Sequence, residues 1–239
     1  MPLSSNAPSS PIGNRLLAAL PTDEYERLLP KLEQVRIPRN RILYEAGDAT
    51  RYAYFLNSGM ASLVAITEDG QTIEIGAVGS EGFLCVPIIH KVGITSYRVI
   101  VQMPAGAART EPHQLLDEFN RGGKLYELLS HYAHVLEIQM IQSLVCHLFH
   151  NVGQRLCRYL LITSDCLQSD AFDITQEHIA NMLGKDRSQV GAAASILRQK
   201  GLIRYQRGRM TILDRSGLIE ASCECYSVAR DCMDTFLKP

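Results

Sequence analysis

The sequence DITQEHIANMLGKDRSQVGAAASILRQ (residues 173–199) predicts two short helices joined at a glycine. Thr175 can cap the first helix, and Gly184 ends it because glycine readily takes the left-handed conformation of a tight turn. Asp186 can cap the second helix, and Gln189, three residues later, is in the position of its capping-box partner. Two capped helices around one glycine predict a compact αα-corner.

The residues inside and after this corner favour a winged helix-turn-helix. Ala180 and Val190 fall where two crossing helices need a small side chain and an apolar plug. Residues 202–213 then alternate between apolar and polar around Arg207-Gly208, a pattern typical of a β-hairpin. The sequence therefore predicts a hairpin wing after the second helix.

The charge of the chain is concentrated in the same region. Residues 185–215 carry a net charge of +6, whereas the whole chain carries −1 and the remainder therefore −7. A polyanion would be attracted to this region and repelled by the rest of the molecule. The charge distribution thus favours DNA binding at the C-terminal end.

Short alternating segments punctuated by glycine fill residues 41–109 and predict a β-rich domain. Between Ser62 and Ile75, two alternating runs flank the turn sequence Glu68-Asp69-Gly70-Gln71. An Asp-Gly pair can adopt the positive φ angles of a type I′ turn, so we expect a tight hairpin here.

Residues 124–150 contain neither proline nor glycine, and apolar residues recur at helical spacing, so one long helix is predicted. Two apolar stripes must both be buried, one by the chain's own β domain and one by a partner helix. We assign the dimer contact to the first stripe, Leu125, Leu129, Tyr132, Leu136, Met140 and Leu144. The second stripe is Leu128, Val135, Ile138, Ile141, Val145 and Phe149. Burial of the whole helix within one monomer is the alternative.

Two stretches resemble the Crp/Fnr regulators. The sequence ITQEHIANMLGKDRSQVGAAASILRQKGLIRYQRGRMTILDRSGL (residues 174–218) resembles their winged helix-turn-helix. EAGDATRYAYFLNSGMASLVAITEDGQTIEIGAVGSEGF (residues 45–83) is similar to their cyclic-nucleotide-binding-like β-roll. The resemblance implies an α+β fold with a flexible arm at 1–13, a β-roll sensor domain at 14–122, a dimerisation helix at 123–150 and a winged helix-turn-helix DNA-binding domain at 151–239.

The resemblance also implies which side chains contact DNA. Arg187 matches the arginine that family members place on a base edge in the major groove. Ser188 and Ala192 occupy further base-reading positions where cyclic-AMP-responsive members have glutamate and arginine, so a different operator is expected. The predicted DNA-binding residues are Arg187, Ser188, Gln189, Thr175, Gln176, Lys185, Arg198, Arg204, Arg207 and Arg209.

The sensor departs from the cyclic-nucleotide signature. The resemblance implies a Gly-Glu-Leu step for the ribose and an Arg-Ser pair for the phosphate, but Gly82-Phe83-Leu84 replaces the first and Ser96-Tyr97, with Arg98 nearby, the second. A buried phosphate without its cation would lose charge-assisted bonds, so cyclic AMP and cyclic GMP are not expected. We place the effector pocket at Gly82, Phe83, Leu84, Ser96 and Arg98, leave the effector open, and predict no cofactor.

Several histidines and cysteines lie at spacings that could serve a metal. His131, His134, Cys146, His147 and His150 are three or four residues apart on the long helix, and Cys223, Cys225 and Cys232 lie near the C-terminus. On one continuous helix Cys223 and Cys225 would point to nearly opposite sides, and reduced thiols usually pack as small apolar groups. We therefore predict no metal site.

The combined reading is a cytoplasmic, sequence-specific DNA-binding transcription regulator and not an enzyme. The expected partners are a second copy of the chain and palindromic duplex DNA, with RNA polymerase as a further candidate. Polar residues interrupt the most apolar stretch, 135–149, so no membrane span is predicted. A hinge is expected at residues 150–153. Two alternatives stay open, a haem or thiol redox sensor of the same architecture and a Cys-His enzyme.

Overall fold

A computed structural model of the protein describes residues 13–236. An antiparallel β domain is followed by one long helix and then by a unit of helices with a small sheet, as the predicted α+β fold requires. The arm expected at residues 1–13 lies, apart from Gly13, outside the described residues.

Six antiparallel strands form the β-roll. Helices α1 (Arg15–Ala18) and α2 (Thr22–Leu28) precede them. The strands are β1 (Glu33–Ile37), β2 (Ile42–Tyr44), β3 (Ala53–Ile66), β4 (Thr72–Val78), β5 (Phe83–Leu84) and β6 (Arg98–Thr110). Their order is β1-β6-β3-β4, with β2 added to β6 and β5 to β3. The long strands β3 and β6 are buried over runs of consecutive residues, and side chains such as Phe55 and Val101 fill the core.

The hairpin predicted around Asp69-Gly70 is confirmed, with a different turn. Strands β3 and β4 pair from Ala61↔Val78 to Ile66↔Thr72. Gly70 alone takes a positive φ of 83°, and its N–H donates to the Thr67 carbonyl at 2.9 Å. Because Asp69 keeps a negative φ, the connection is a turn closed by a left-handed glycine and not a type I′ turn.

The long helix covers the β-roll with the stripe that we had assigned to the dimer. Helix α3 (Pro112–Phe119) leads into α4 (Gly123–Phe149). Four residues of the predicted dimer stripe are at most 4% exposed within the chain's own core: Leu125, Leu129, Tyr132 and Leu136. Met140 packs against the same core, and only Leu144 is open, at 62%. The dimer assignment was therefore wrong for this stripe, since the sheet already buries most of it.

The C-terminal unit surrounds a three-stranded sheet ordered β7-β9-β8. Its elements are α5 (Val152–Leu167), β7 (Ala171–Asp173), α6 (Gln176–Leu183), α7 (Arg187–Gln199), β8 (Ile203–Gln206), β9 (Arg209–Ile212), α8 (Arg215–Glu220) and α9 (Glu224–Phe236). Helix α9 returns to pack along α4. The chain is extended at His150, and Asn151 then caps α5 through a capping box with Gln154, at the place where a hinge was expected.

The β-roll and the C-terminal unit share one apolar core. Helix α5 packs against β3 and β4, and α6 packs against β4. Buried residues of the β-roll, Met60, Val64, Ala77 and Met103, belong to the same cluster as Leu156, Leu160, Met182 and Leu183 of the C-terminal unit. Gln102 Nε2 also donates to Met182 Sδ at 3.2 Å. The orientation of the C-terminal unit is therefore set by packing as well as by the linker.

Candidate nucleic-acid interface and neighbouring sites

The helix-turn-helix is formed by α6 and α7 as the sequence predicted. Thr175 Oγ1 accepts the His178 N–H at 3.1 Å and caps α6. Gly184 ends that helix at φ 57°, and the Lys185 N–H donates to the Ala180 carbonyl at 3.0 Å. Helix α7 then begins after Asp186 with its capping box to Gln189. The local capping chemistry thus fixes where α6 begins and ends and where α7 begins.

The two faces of α7 differ sharply in exposure. Val190, Ala193 and Leu197 are at most 8% exposed and pack into the C-terminal core. The first turn, with Arg187, Ser188 and Gln189, is exposed, as are Lys185 before the helix and Arg198 in its last turn. Gln176 on α6 is half-buried beside Gly191 of α7. The outer face of α7 is therefore open to solvent and accessible to a binding partner.

The wing is a tight hairpin of two arginine-bearing strands. Strands β8 and β9 pair from Ile203↔Ile212 to Gln206↔Arg209, and Arg207 and Gly208 turn the chain with φ of 49° and 82°. Arg204 and Arg207 are exposed. Arg209, which we expected on DNA, instead pairs with Asp173 at 3.2 Å, although its side chain stays 61% exposed.

One cation of the basic region points into the protein. Arg215 forms an ion pair with Asp165, lies 3.3 Å from Asp170, and donates to Tyr226 Oη at 3.0 Å. The Tyr226 hydroxyl in turn donates to Asp165 at 2.8 Å. Arg215 therefore fastens α8 and α9 to α5, and its charge is compensated inside the chain.

The predicted effector pocket is closed by the chain's own side chains. Phe83 stacks on Phe55 with 5.7 Å between ring centroids, and its ring also contacts the tilted Tyr132 ring at 5.4 Å. A Cβ at Gly82 would overlap the Tyr132 ring. The gap lined by Leu63, Phe83, Leu84, Cys85, Tyr97, Val99 and Leu136 has no room for a water molecule. The aromatic ring that replaces the family glutamate thus becomes core, and the pocket prediction was wrong for Gly82, Phe83 and Leu84.

The other two predicted pocket residues lie apart from that core. Arg98 makes a bidentate contact with Glu45, at 2.8 Å and 2.9 Å. Ser96 is exposed in the preceding loop. Since Arg98 already has a carboxylate partner, its guanidinium is not free to bind a phosphate.

A larger cavity, about 450 Å³, opens where the β-roll meets the C-terminal unit. Its charged and polar lining includes Arg15, Glu81, Gln139, Arg215, Arg230 and Asp234. Burial raises the pKa of Glu81, which accepts the Gly79 N–H at 2.7 Å. No local sequence pattern predicts this cavity, because its walls come from segments far apart in the chain.

Two half-buried histidines stay neutral at ordinary pH. Burial, reinforced by the nearby Arg39, lowers the pKa of His178 on α6 to about 4. Burial likewise lowers the pKa of His147 on α4 to about 4, and its Nδ1 lies 2.6 Å from the Ser143 carbonyl.

Cysteine and histidine side chains from α4 and from the start of α9 meet in one cluster. Cys146, His150, Cys223 and Cys225 hold their ligand-type atoms within 4.8 Å of one another. The sequence predicts these cysteines as packing residues and no metal site, whereas the structure brings three of them together with a histidine. His131 and His134, the other candidates, are exposed on α4, and His134 lies 3.5 Å from Glu137. The sequence pattern that could have predicted this cluster is Cys-x3-His at the end of α4 together with Cys-x-Cys after α8.

Two domain families match the chain. The Crp-like helix-turn-helix domain matches residues 154–221, and the cyclic nucleotide-binding domain matches residues 34–120. No curated protein sequence matches it. Within residues 13–236, no helix combines the length and apolar character needed to cross a bilayer.

Three solved structures of bacterial proteins have the same architecture as this chain. The c-di-GMP responsive global regulator CLP of Xanthomonas campestris aligns over 80% of this chain and 99% of its own, with 16% identity and a TM-score of 0.66. FixK2 of Bradyrhizobium japonicum aligns over 80% and 98%, with 11% identity and a TM-score of 0.67. TTHB099 of Thermus thermophilus, a CRP-family transcriptional regulator, aligns over 79% and 96%, with 20% identity and a TM-score of 0.65. At sequence identities of 11–20%, the similarity to these structures shows a shared fold alone.

Proposed function

The chain belongs to the Crp/Fnr family of transcription regulators, and we propose that it reads a specific palindromic operator as a homodimer, with α7 in the major groove. The observation that carries this proposal is the exposed first turn of α7, which opens with Arg187 directly after the Gly184 turn. Arginine makes a bidentate contact with guanine in that groove, and Ser188 and Gln189 can bond to bases or phosphates. A role on DNA also agrees with the expected cytoplasmic location.

A second copy of the chain would be held by the face of α4 that the β-roll leaves uncovered. Ile141, Leu144 and Leu148 are 48%, 62% and 67% exposed, and their i, i+3, i+7 spacing is that of a helix seam. Phe149 beside them is 77% exposed. Pairing two chains through this seam would present two recognition helices, and a palindromic site requires that symmetry. Contact with RNA polymerase stays a prediction.

The signal that controls binding is not expected to be a cyclic nucleotide, because Phe83 and Tyr132 fill the pocket. The haem or thiol sensor stays a prediction. Membership of a family of transcription regulators favours regulation over the Cys-His enzyme.

The test is binding of the full-length protein to a duplex selected by genomic footprinting, compared with random duplex. Replacing Arg187 by Ala should weaken the selected duplex by about 1–3 kcal/mol, roughly 5- to 150-fold, and relax one base preference. Replacing Arg207 by Ala should weaken both duplexes equally and reduce the salt slope by about one. Arg51→Ala, which removes an exposed cation from the β-roll, is the matched control. Equal losses on random DNA for Arg187→Ala and Arg207→Ala would contradict the assigned roles.

A further inference from the structure

The cluster at the end of α4 has the dimensions of a tetrahedral metal site. Cys146 Sγ lies 3.6 Å from Cys223 Sγ, and Cys225 Sγ lies 3.6 Å from His150 Nδ1. With zinc bonds of about 2.3 Å to sulfur and about 2.0–2.1 Å to nitrogen, tetrahedral edges are about 3.8 Å between sulfurs and about 3.6 Å between sulfur and nitrogen. The spacing of these ligand atoms therefore leaves room for one Zn²⁺ at their centre.

Local structure explains how four separated residues point to one place. Cys146 lies in the last turn of α4, and His150 is the residue that ends the helix; because the His150 N–H still donates to the Cys146 carbonyl at 3.2 Å, the two residues lie on one face. Helix α9 begins at Glu224, which leaves Cys223 outside the helix, and the Cys223 carbonyl accepts the Tyr226 N–H at 3.2 Å. Cys223 and Cys225 can therefore turn to the same side, although two residues inside one helix could not.

The surroundings match those of a closed metal site. The three cysteines are at most 6% exposed, and the His150 side chain is 12% exposed. His150 Nε2 lies 3.3 Å from a Glu224 carboxylate oxygen, while Nδ1 faces Cys225. A ligating histidine usually gives its second ring N–H to such a carboxylate, which fixes the tautomer and the ring orientation.

A buried cation balances the charge that such a site would carry. Three thiolates, a neutral imidazole and Zn²⁺ sum to a net charge of −1. Arg158 is only 7% exposed and lies close enough to Cys146 and Cys225 for the charges to interact. Its guanidinium donates at 3.0 Å to the neutral Ser143 Oγ, and within the described residues its Nε has no hydrogen-bond partner. The charge of Arg158 also interacts with that of the buried Glu74 carboxyl, whose pKa burial raises to about 7, and the metal–thiolate group would supply a further negative charge beside it.

We propose that Cys146, His150, Cys223 and Cys225 bind one Zn²⁺ ion per chain in a structural site that fastens α9 to the end of α4. All four ligand positions come from the protein and are buried, so no position is left for substrate. The site would join the long helix to the C-terminal unit at the point where the chain bends at His150. The inference stands on these residues alone and does not depend on DNA binding.

The test is the metal content of the full-length protein purified under reducing conditions. We expect one zinc per chain by elemental analysis, and loss of that zinc in Cys225→Ser and in Cys223→Ser. Cys232→Ser, on the same helix but outside the cluster, is the matched control and should keep the metal. Because the ligand variants could misfold, the wild-type protein is also stripped of metal and titrated with Co²⁺, which should give the thiolate charge-transfer and tetrahedral d–d bands at one equivalent.

Three outcomes would overturn the proposal. Zinc content and cobalt spectra that are the same in the wild type and the folded Cys225→Ser variant would show that these residues are not ligands. Protein that holds no zinc would overturn the proposal as well, and a Cys146–Cys223 disulfide in zinc-free protein prepared without reductant, seen as two thiols fewer by mass spectrometry, would make the cluster a redox pair. Stoichiometric iron with visible absorption in place of zinc would overturn the choice of metal.

Discussion

Acidification should loosen the contact between the helix-turn-helix and the β-roll through His178. This residue lies on α6 near Arg39, and within residues 13–236 its Nε2 has no hydrogen-bond partner. Burial lowers its pKa from 6.5 to about 4, and the Arg39 charge acts in the same direction. Protonation of His178 therefore places a second positive charge, away from water, near Arg39.

The direction and the size of the stability change with pH follow from the difference between the folded and unfolded pKa of His178. Because the folded pKa is depressed, the unfolded chain takes up the proton first, and stability falls as pH drops from about 6.5 towards 4. The full difference corresponds to about 3 kcal/mol, of which about 2 kcal/mol is already lost by about pH 5. His147 adds a slope of the same sign, whereas Glu74, whose pKa burial raises to about 7, adds one of opposite sign.

The assay is urea unfolding at about pH 7.5 and about pH 5, at equal protein concentration, for the wild type and for His178→Gln. The variant keeps a neutral side chain that does not titrate, so the contributions of His147 and Glu74 cancel in the comparison. The wild type should lose about 2 kcal/mol more than the variant over this interval. His113→Gln, at an exposed position, serves as control. If the wild type and His178→Gln lose the same stability, the buried neutral state of His178 is refuted.

Three further predictions concern the sensor core and the dimer. Gly82→Ala should destabilise the protein by about 1–3 kcal/mol or more in urea unfolding, since the added methyl group meets the Tyr132 ring. Gly93→Ala, where the added methyl group meets open space, should change the urea midpoint little. Leu144→Glu should shift the protein from dimer to monomer in sedimentation equilibrium. Leu213→Glu, on the wing side and 48% exposed, should leave the dimer intact. A Leu144→Glu variant that stays dimeric would exclude the proposed seam. Cyclic AMP and cyclic GMP should leave the melting temperature unchanged in scanning fluorimetry, because the filled pocket has no room for them, and a rise would contradict that closure.

The helix-turn-helix could be predicted from sequence because its determinants are local. The caps at Thr175 and Asp186, the break at Gly184 and the wing turn at Arg207-Gly208 each depend on a few consecutive residues. Short-range hydrogen bonds and backbone preferences fix such features before any tertiary contact forms.

Features that depend on distant partners could not be predicted in the same way. The first apolar stripe of α4 keeps one periodicity along its whole length, and only the position of the sheet decides that Leu129 is buried while Leu144 is exposed. Cys146 and Cys223 are 77 residues apart, and their approach depends on the return of α9 to α4. Residue type and spacing restrict the candidates for such contacts, but the fold selects among them.

The shared core changes how the chain can be divided and how it can switch. A fragment beginning at Asn151 would keep the whole helix-turn-helix yet leave Leu156, Leu160 and Met182 without the β-roll residues that cover them. Such a fragment should aggregate sooner than a self-sufficient DNA-binding module would. By the same reasoning, the recognition helices cannot swing freely on a tether: each reorientation has to separate an apolar contact, so a signal must supply that free energy before the DNA affinity changes.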